Sequence, residues 1–214
     1  MRTDLSKESV AMNSAPSRWC RTAGFAAVAA AALIALTACN PFGGDVVAYD
    51  LPAASARYSF QAQTAGTKTV WEYTSDQPAK SDVPQSSPCI GDLTQQKSGA
   101  CRPEPLIFLR YDLDLGLDNT AKAGGVHHIT VTGYYQDRIS TPPTVNKLRA
   151  EASFDGGKTW RPVRTKAGKQ NTFAVDIDNP RRDKAPEGVG LRISATDSAG
   201  NTVEQTIPKA YQLH

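Results

Sequence analysis

The chain has few of the side chains that most often carry out catalysis. It contains only three histidines, and two of them, His127 and His128, are neighbours. Successive residues of a strand point to opposite faces, so these two are not expected to share a metal ion. No Gly-x-Ser-x-Gly segment or similar setting for a nucleophilic serine is present. We therefore predict no catalytic residue, no metal site and no cofactor, and we expect the chain not to be an enzyme.

The chain also lacks a strong charge of either sign. Its formal net charge is +3, and residues 1–38 carry four basic and two acidic side chains, which leaves +1 for the remainder. Nucleic-acid binding usually needs a basic stripe, and lipid-headgroup binding usually needs a basic cluster. The composition therefore predicts no nucleic-acid partner and no polybasic membrane patch.

The apolar run over residues 25–36 is too short for an ordinary transmembrane helix. Twelve helical residues span roughly 18 Å, whereas the hydrocarbon core is roughly 30 Å thick. Arg18 and Arg21 precede the run without an intervening acidic residue, and small residues follow it. This order is typical of a secretory signal.

The end of the run, Leu36-Thr37-Ala38-Cys39, resembles the lipobox of bacterial lipoprotein signals. The resemblance implies that residues 1–38 are removed and that the Cys39 thiol receives a diacylglyceryl group. Two or three acyl chains anchor a protein stably, so we expect it at the extracytoplasmic face of the cell membrane. An ordinary secretion signal, in which Cys39 is incidental, is the alternative. Translation could start at Met1 or at Met12.

Two cysteines, Cys89 and Cys101, remain outside the predicted signal and lipid site. An oxidising compartment favours a disulfide between them. Closing a loop of this size lowers the entropy of the unfolded chain and so stabilises the folded state by roughly 3 kcal/mol. Two free thiols or two metal ligands are the alternatives, although no histidine lies nearby in the sequence.

Short segments in which apolar and polar residues alternate predict an all-β fold. Over residues 106–214 we expect an antiparallel, immunoglobulin- or fibronectin-III-like β-sandwich of about seven strands, with a barrel as the alternative. Residues 54–105 are expected to form a small β/loop subdomain that contains the disulfide, and residues 39–53 a flexible tether. The predicted strands cover residues 56–61, 68–73, 106–115, 126–135, 147–154, 159–163, 172–178, 189–195 and 202–207.

Residues 153–160, Ser-Phe-Asp-Gly-Gly-Lys-Thr-Trp, resemble the Asp-box of sialidase-like propellers. The motif occurs once, so we interpret it as a structural hairpin in which Asp155 caps the turn and Trp160 is buried. The alternative is a sugar-binding surface. Its aromatic platform would draw on Trp71, Tyr134, Tyr135 and Trp160.

Calcium binding at two acidic clusters is the alternative to the prediction of no metal site, because carboxylate and amide oxygens are the ligands that Ca²⁺ prefers. Neither matches an EF-hand loop, and alternating aspartates on a strand usually face solvent. The clusters are Asp112, Asp114, Asp118 and Asn119, and Asp176, Asp178 and Asn179.

The region from Arg57 to Leu213 resembles the non-catalytic C-terminal region of secreted subtilisin-like serine peptidases from actinobacteria. The segments that carry the resemblance are residues 69–75, 110–113, 117–119, 153–160, 191–201 and 205–211. The peptidase domain that precedes this region in the family has no counterpart in the chain. The resemblance therefore implies a fold and an extracellular setting, and no proteolytic activity.

Together these features predict a lipid-anchored, extracytoplasmic β protein with a non-catalytic binding or accessory role. The expected partners are the membrane, through the anchor, and an envelope protein or polysaccharide. One alternative is a carbohydrate-binding surface module. Another is a detached accessory part of a subtilisin-like peptidase system.

Overall fold

A computed structural model describes residues 51–83, 89 and 99–214, together with the backbone of residues 8–13. The predicted lipid site, Cys39, lies outside these residues. In the described part of the chain, no helix is long and apolar enough to cross a membrane. Apart from one 3₁₀ turn at Arg182–Lys184, the regular elements are strands: β1 Glu8–Asn13, β2 Ala56–Thr64, β3 Thr67–Ser75, β4 Phe108–Asp112, β5 Thr120–Ala121, β6 Val126–Tyr134, β7 Val145–Ser153, β8 Arg161–Ala167, β9 Thr172–Asp178, β10 Val189–Asp197 and β11 Thr202–Leu213.

Nine of these strands form one curled, antiparallel sheet, a half-barrel, in the order β2-β3-β11-β10-β7-β8-β9-β6-β4. The prediction of an antiparallel all-β fold is therefore confirmed. The short strand β5 runs parallel to the end of β11. Strand β3 pairs with β11, so the predicted 54–105 segment supplies two strands to the same sheet as residues 106–214.

The segment β1 pairs in parallel with β2, from Glu8 opposite Tyr58 to Asn13 opposite Gln63. It lies within residues 1–38, which the sequence predicts to be removed. After such removal, β2 is the edge strand at this end of the sheet.

Strand β8 joins the two halves of the curled sheet. Its first residues pair with β7, with Pro162 opposite Glu151, whereas its later residues pair with β9, with Arg164 opposite Asp176. Each half of β8 therefore has a ladder partner on one side only. Pro162, which lacks a backbone N–H, can lie in the strand because its other side carries no ladder.

The core fills the concave side of the sheet. Alternate residues of each strand are buried, which follows from the two-residue period of a strand. The most deeply buried side chains include Val131, Val175, Ile177, Leu191, Ile193, Val203 and Tyr211. The two ends of the sheet approach each other beside this core. The Trp71 indole N–H on β3 donates to the carbonyl of Ile107, the residue just before β4, at 2.7 Å.

Candidate functional site

The hairpin between β7 and β8 is held by the carboxylate of Asp155. This carboxylate accepts hydrogen bonds from the Ser153 hydroxyl, at 2.8 Å, and from the backbone N–H and hydroxyl of Thr159, at 2.9 and 2.6 Å. Gly156 and Gly157 follow with φ of 70° and 86°, a region that favours glycine. The Thr159 hydroxyl, the Thr159 amide and the Ser153 hydroxyl together lower the pKa of Asp155 to about 2. The carboxylate is thus engaged within its own turn, as the structural interpretation of the motif requires.

Trp160 does not lie in the core, and the prediction of a buried anchor is wrong. The ring is half-buried, and the Arg192 guanidinium lies over it, 4.9 Å from its centroid. Arg192 on β10 also pairs with the Glu151 carboxylate on the neighbouring strand β7, at 2.6 Å from its Nε. Trp160 leaves the hairpin just before β8 begins, so its ring lies beside the outward-facing residues of the sheet. The core-facing residue of β8 is instead Val163.

The three other aromatic residues do not form an exposed platform. Trp71 and Tyr135 are each only 8% exposed, whereas Tyr134 is 38% exposed. Tyr134 and Tyr135 are adjacent in the sequence, so one faces outward and the other inward. The Tyr135 hydroxyl donates to the buried Asp197 carboxylate at 2.8 Å. The candidate ligand surface Trp71–Tyr134–Tyr135 is therefore not assembled by the fold.

Trp71 instead belongs to a row of rings that closes the seam of the curled sheet. Ring centroids lie 5.4 Å apart for Phe60 and Trp71, 6.0 Å for Trp71 and Phe108, and 5.7 Å for Phe108 and Tyr134. These spacings fall in the range of favourable aromatic pairs. The row links β2 and β3 to β4 and β6, and at its exposed end the Arg110 guanidinium covers the Tyr134 ring. Its role is packing.

Each histidine has a local structural partner. The His127 ring contacts the Leu113 carbonyl through Nε2 at 2.8 Å and packs against the Tyr211 ring. His128, on the opposite face as expected, pairs with Asp176 at 2.7 Å. The Nδ1 atom of His214 lies 2.7 Å from the Thr120 hydroxyl.

Members of both acidic clusters are engaged in contacts with other parts of the protein. Asp118 accepts from the Thr120 hydroxyl, and Asp176 faces both His128 and Arg164. Asn179 is buried and accepts from the Tyr211 hydroxyl at 2.9 Å. Across the residues that the structure describes, no group of three or more His, Cys, Asp or Glu side chains is placed to hold a metal ion.

Cys89 and Cys101 form a disulfide, with Cα atoms 5.9 Å apart, so this prediction is confirmed. The backbone N–H of Asp82 donates to the Cys101 carbonyl at 2.9 Å, and the Ser81 hydroxyl contacts the Cys89 sulfur at 3.4 Å. The bridge therefore fastens the chain that leaves β3 to the chain that leads into β4.

Sequence reasoning missed a partly buried charged group beside this bridge. Glu104, flanked by two prolines, accepts from the Ser75 hydroxyl at 3.0 Å, and Arg102 contacts both Ser75 and Asp76. Burial raises the pKa of Glu104, although the Ser75 hydrogen bond and the Arg102 charge oppose the shift. No sequence signal marked Glu104, because only the fold brings residues 75 and 104 together.

The outward face of the sheet around Glu151, Trp160 and Arg192 is the surface on which polar and aromatic side chains converge. Leu148, Ala150 and Ala152 alternate along β7 and are buried, so the outer face could have been found from the sequence by taking the intervening residues. The chain matches no protein-family model, no curated protein and no solved structure.

Proposed function

We propose that this chain is a lipid-anchored, extracytoplasmic β-sandwich protein with a non-catalytic binding or accessory role at the cell envelope. The observation that carries the compartment is the Cys89–Cys101 disulfide, because such bonds persist in oxidising environments and are rare in the cytosol. The immunoglobulin- or fibronectin-III-like arrangement is part of the proposal. The switch of β8 from one half of the curled sheet to the other supports it.

The anchor rests on the sequence Leu36-Thr37-Ala38-Cys39 at the end of a short apolar run. The interval between Cys39 and the first residue of β2, Ala56, is rich in proline and glycine and suits a tether. The non-catalytic part of the proposal is supported by the engagement of the described histidines and of Asp155 in contacts that build the fold. The resemblance to the C-terminal region of subtilisin-like peptidases agrees with an accessory role beside an envelope protein.

Metabolic labelling with a clickable fatty acid, followed by membrane fractionation, tests the anchor. The Cys39→Ala variant is expected to lose the label and to leave the lipidated membrane fraction. Cys20→Ala is the matched control, because Cys20 lies within the segment that is predicted to be removed. Equal labelling of the wild type and Cys39→Ala would overturn the lipid anchor, and label lost from Cys20→Ala would move the modified site.

A further inference from the structure

Four exposed cations lie on the face of the sheet opposite the core, near the place where β8 leaves β7 to pair with β9. There the Thr165 hydroxyl on β8 still donates to the Leu148 carbonyl on β7, at 3.4 Å. We name the four cations the cation strip: Lys147 and Arg149 on β7, and Arg164 and Lys166 on β8. On each strand the two cations are two residues apart and so share a face, roughly 7 Å from one another. The alternate residues, Leu148 and Val163, face the core.

The strip carries more positive charge than its surroundings neutralise. Arg164 has loose ion pairs with Asp176 at 3.8 Å and Asp178 at 4.0 Å. No carboxylate within the described residues forms an ion pair with Lys147, Arg149 or Lys166. On β10 the residues opposite Arg149 and Lys147 are uncharged hydroxyl residues, Ser194 and Thr196.

The next cross-strand pair on the same face of β7 and β10 is balanced in charge. There Arg192 on β10 lies directly opposite Glu151 on β7 and pairs with it at 2.6 Å. Opposite charges across a ladder stabilise a sheet, and like charges on neighbouring strands destabilise it. A further acid, Glu204 on β11, lies opposite Ser194 on β10 and so is two strands away from Arg149. The excess charge of the strip therefore has no partner in the sheet, and an anionic ligand would complement it.

We propose that the cation strip binds an anionic polysaccharide, one whose sugars carry carboxylate groups. The hydroxyls of Ser194 and Thr196 flank the cations on the same face and can exchange hydrogen bonds with sugar hydroxyls. Protein interfaces centre on apolar or aromatic anchors, and amphipathic membrane-binding surfaces insert apolar side chains. The exposed large hydrophobic residues of the described chain are Leu117, Val126 and Tyr134, and none belongs to the strip. A surface of cations and hydroxyls without an apolar anchor suits a hydrated polymer better than a protein or a bilayer.

This proposal rests on the extracytoplasmic role proposed above, because such polymers lie outside the cytoplasm. The test is binding of fluorescently labelled polygalacturonate by the full chain purified in detergent, measured by anisotropy at low and at physiological salt. Neutral dextran of similar length is the ligand control. We expect salt-sensitive binding of polygalacturonate and none of dextran.

The test variant is Lys147→Gln/Arg149→Gln/Lys166→Gln. We expect it to weaken binding by roughly tenfold to hundredfold, since each exposed cation near an anionic surface contributes about fivefold. The matched control, Lys122→Gln/Arg182→Gln/Lys209→Gln, removes the same charge from exposed positions outside the strip and should retain binding. Melting temperatures report folding, and the strip variant should melt no lower than the wild type because it relieves like-charge repulsion.

Three outcomes would overturn the proposal. These are no binding of polygalacturonate, equal weakening by both triple variants, and a strip variant that changes only the preference for phosphatidylglycerol over phosphatidylcholine vesicles. The last outcome would assign the strip to a membrane surface, because the acyl anchor inserts into both vesicles alike. The Cys39 labelling experiment is independent of these results, so a failure of the anchor and a failure of the strip are distinguishable.

Discussion

Two hairpins of this protein use an aspartate to cap the turn, and they differ in how far the aspartate reaches. Asp155, between β7 and β8, accepts from Ser153 and Thr159, which belong to its own hairpin. Asp197, the last residue of β10, accepts from the backbone N–H groups of Ala199 and Asn201, both at 2.8 Å, and from the Asn201 side chain. It also accepts from the Tyr135 hydroxyl, which lies 62 residues away in the sequence.

Burial separates the two aspartates further. Asp197 is 3% exposed, and Asn201 beside it is 4% exposed. The Asn201 side chain extends this hydrogen-bond network to β3, because its Oδ1 accepts from the Thr74 backbone N–H at 3.3 Å. An aspartate that caps a turn therefore holds its own hairpin together at Asp155. At Asp197 it also joins the β10–β11 turn to Tyr135 and, through Asn201, to β3. The identity of the turn residues alone does not reveal which role applies.

The strongest test of this difference is Asp197→Ala. We expect a loss of about 3 kcal/mol or more in the free energy of unfolding, because several buried donors lose their acceptor at once. Urea unfolding measures the loss, and Asp155→Ala is the matched control with a clearly smaller effect. Equal losses for the two variants would mean that burial does not distinguish the hairpins.

Removing one hydroxyl isolates the long-range part of the Asp197 network. Tyr135→Phe should cost about 1–2 kcal/mol, because it leaves the buried Asp197 carboxylate with one donor fewer. Burial, and then the hydrogen bond to Asp197, raises the pKa of Tyr135, so the hydroxyl stays protonated and remains a donor at neutral pH. Tyr134→Phe is the adjacent control on the exposed face and should leave stability unchanged. A comparable loss from both variants would contradict the assignment of the two faces.

The smallest expected effect is a pH dependence at Asp155. Its pKa of about 2 lies below its usual value of 3.8, because the Thr159 and Ser153 groups stabilise the charged carboxylate. The contribution to stability is thus present above the unfolded-state pKa and is lost as the pH falls toward about 2. The difference in urea midpoint between the wild type and Asp155→Asn should be constant from about pH 7 to 5 and then shrink. A difference that persists unchanged at about pH 2 would contradict the shifted pKa.

Most strands could be predicted from the alternation of apolar and polar residues, because that period is a property of the strand itself. Strand β9 matches its predicted range of residues 172–178, and β10 begins at residue 189 as expected. Strand β11 extends to Leu213 instead of residue 207, since its last part pairs with β5. The two-residue strand β5 has no period of its own and was not predicted.

The candidate site was harder to predict than the strands, because side chains on both faces of some strands are apolar. On β3, both Val70 and Trp71 are apolar, and only the pairing of β3 with β11 directs Trp71 inward. Trp160 directly precedes β8, so the face of the sheet on which its ring lies depends on where β8 begins. Recognising the cation strip required knowing that β8 follows β7 in the sheet, which the sequence indicates only through the hairpin between them.

The sequence by itself determined the features that depend on residues close together in the chain, or on there being only two cysteines left to pair. These are the all-β character, the Asp155 turn and the pairing of Cys89 with Cys101, the two cysteines left outside the predicted signal and lipid site. Only the tertiary structure decided which aspartate is buried, which aromatic rings face the core and which cations lie together. Turn and strand preferences act over a few residues, whereas burial and charge proximity sum contributions from strands far apart in the chain. For this reason Asp155 and Asp197, alike in sequence, differ in what they hold together.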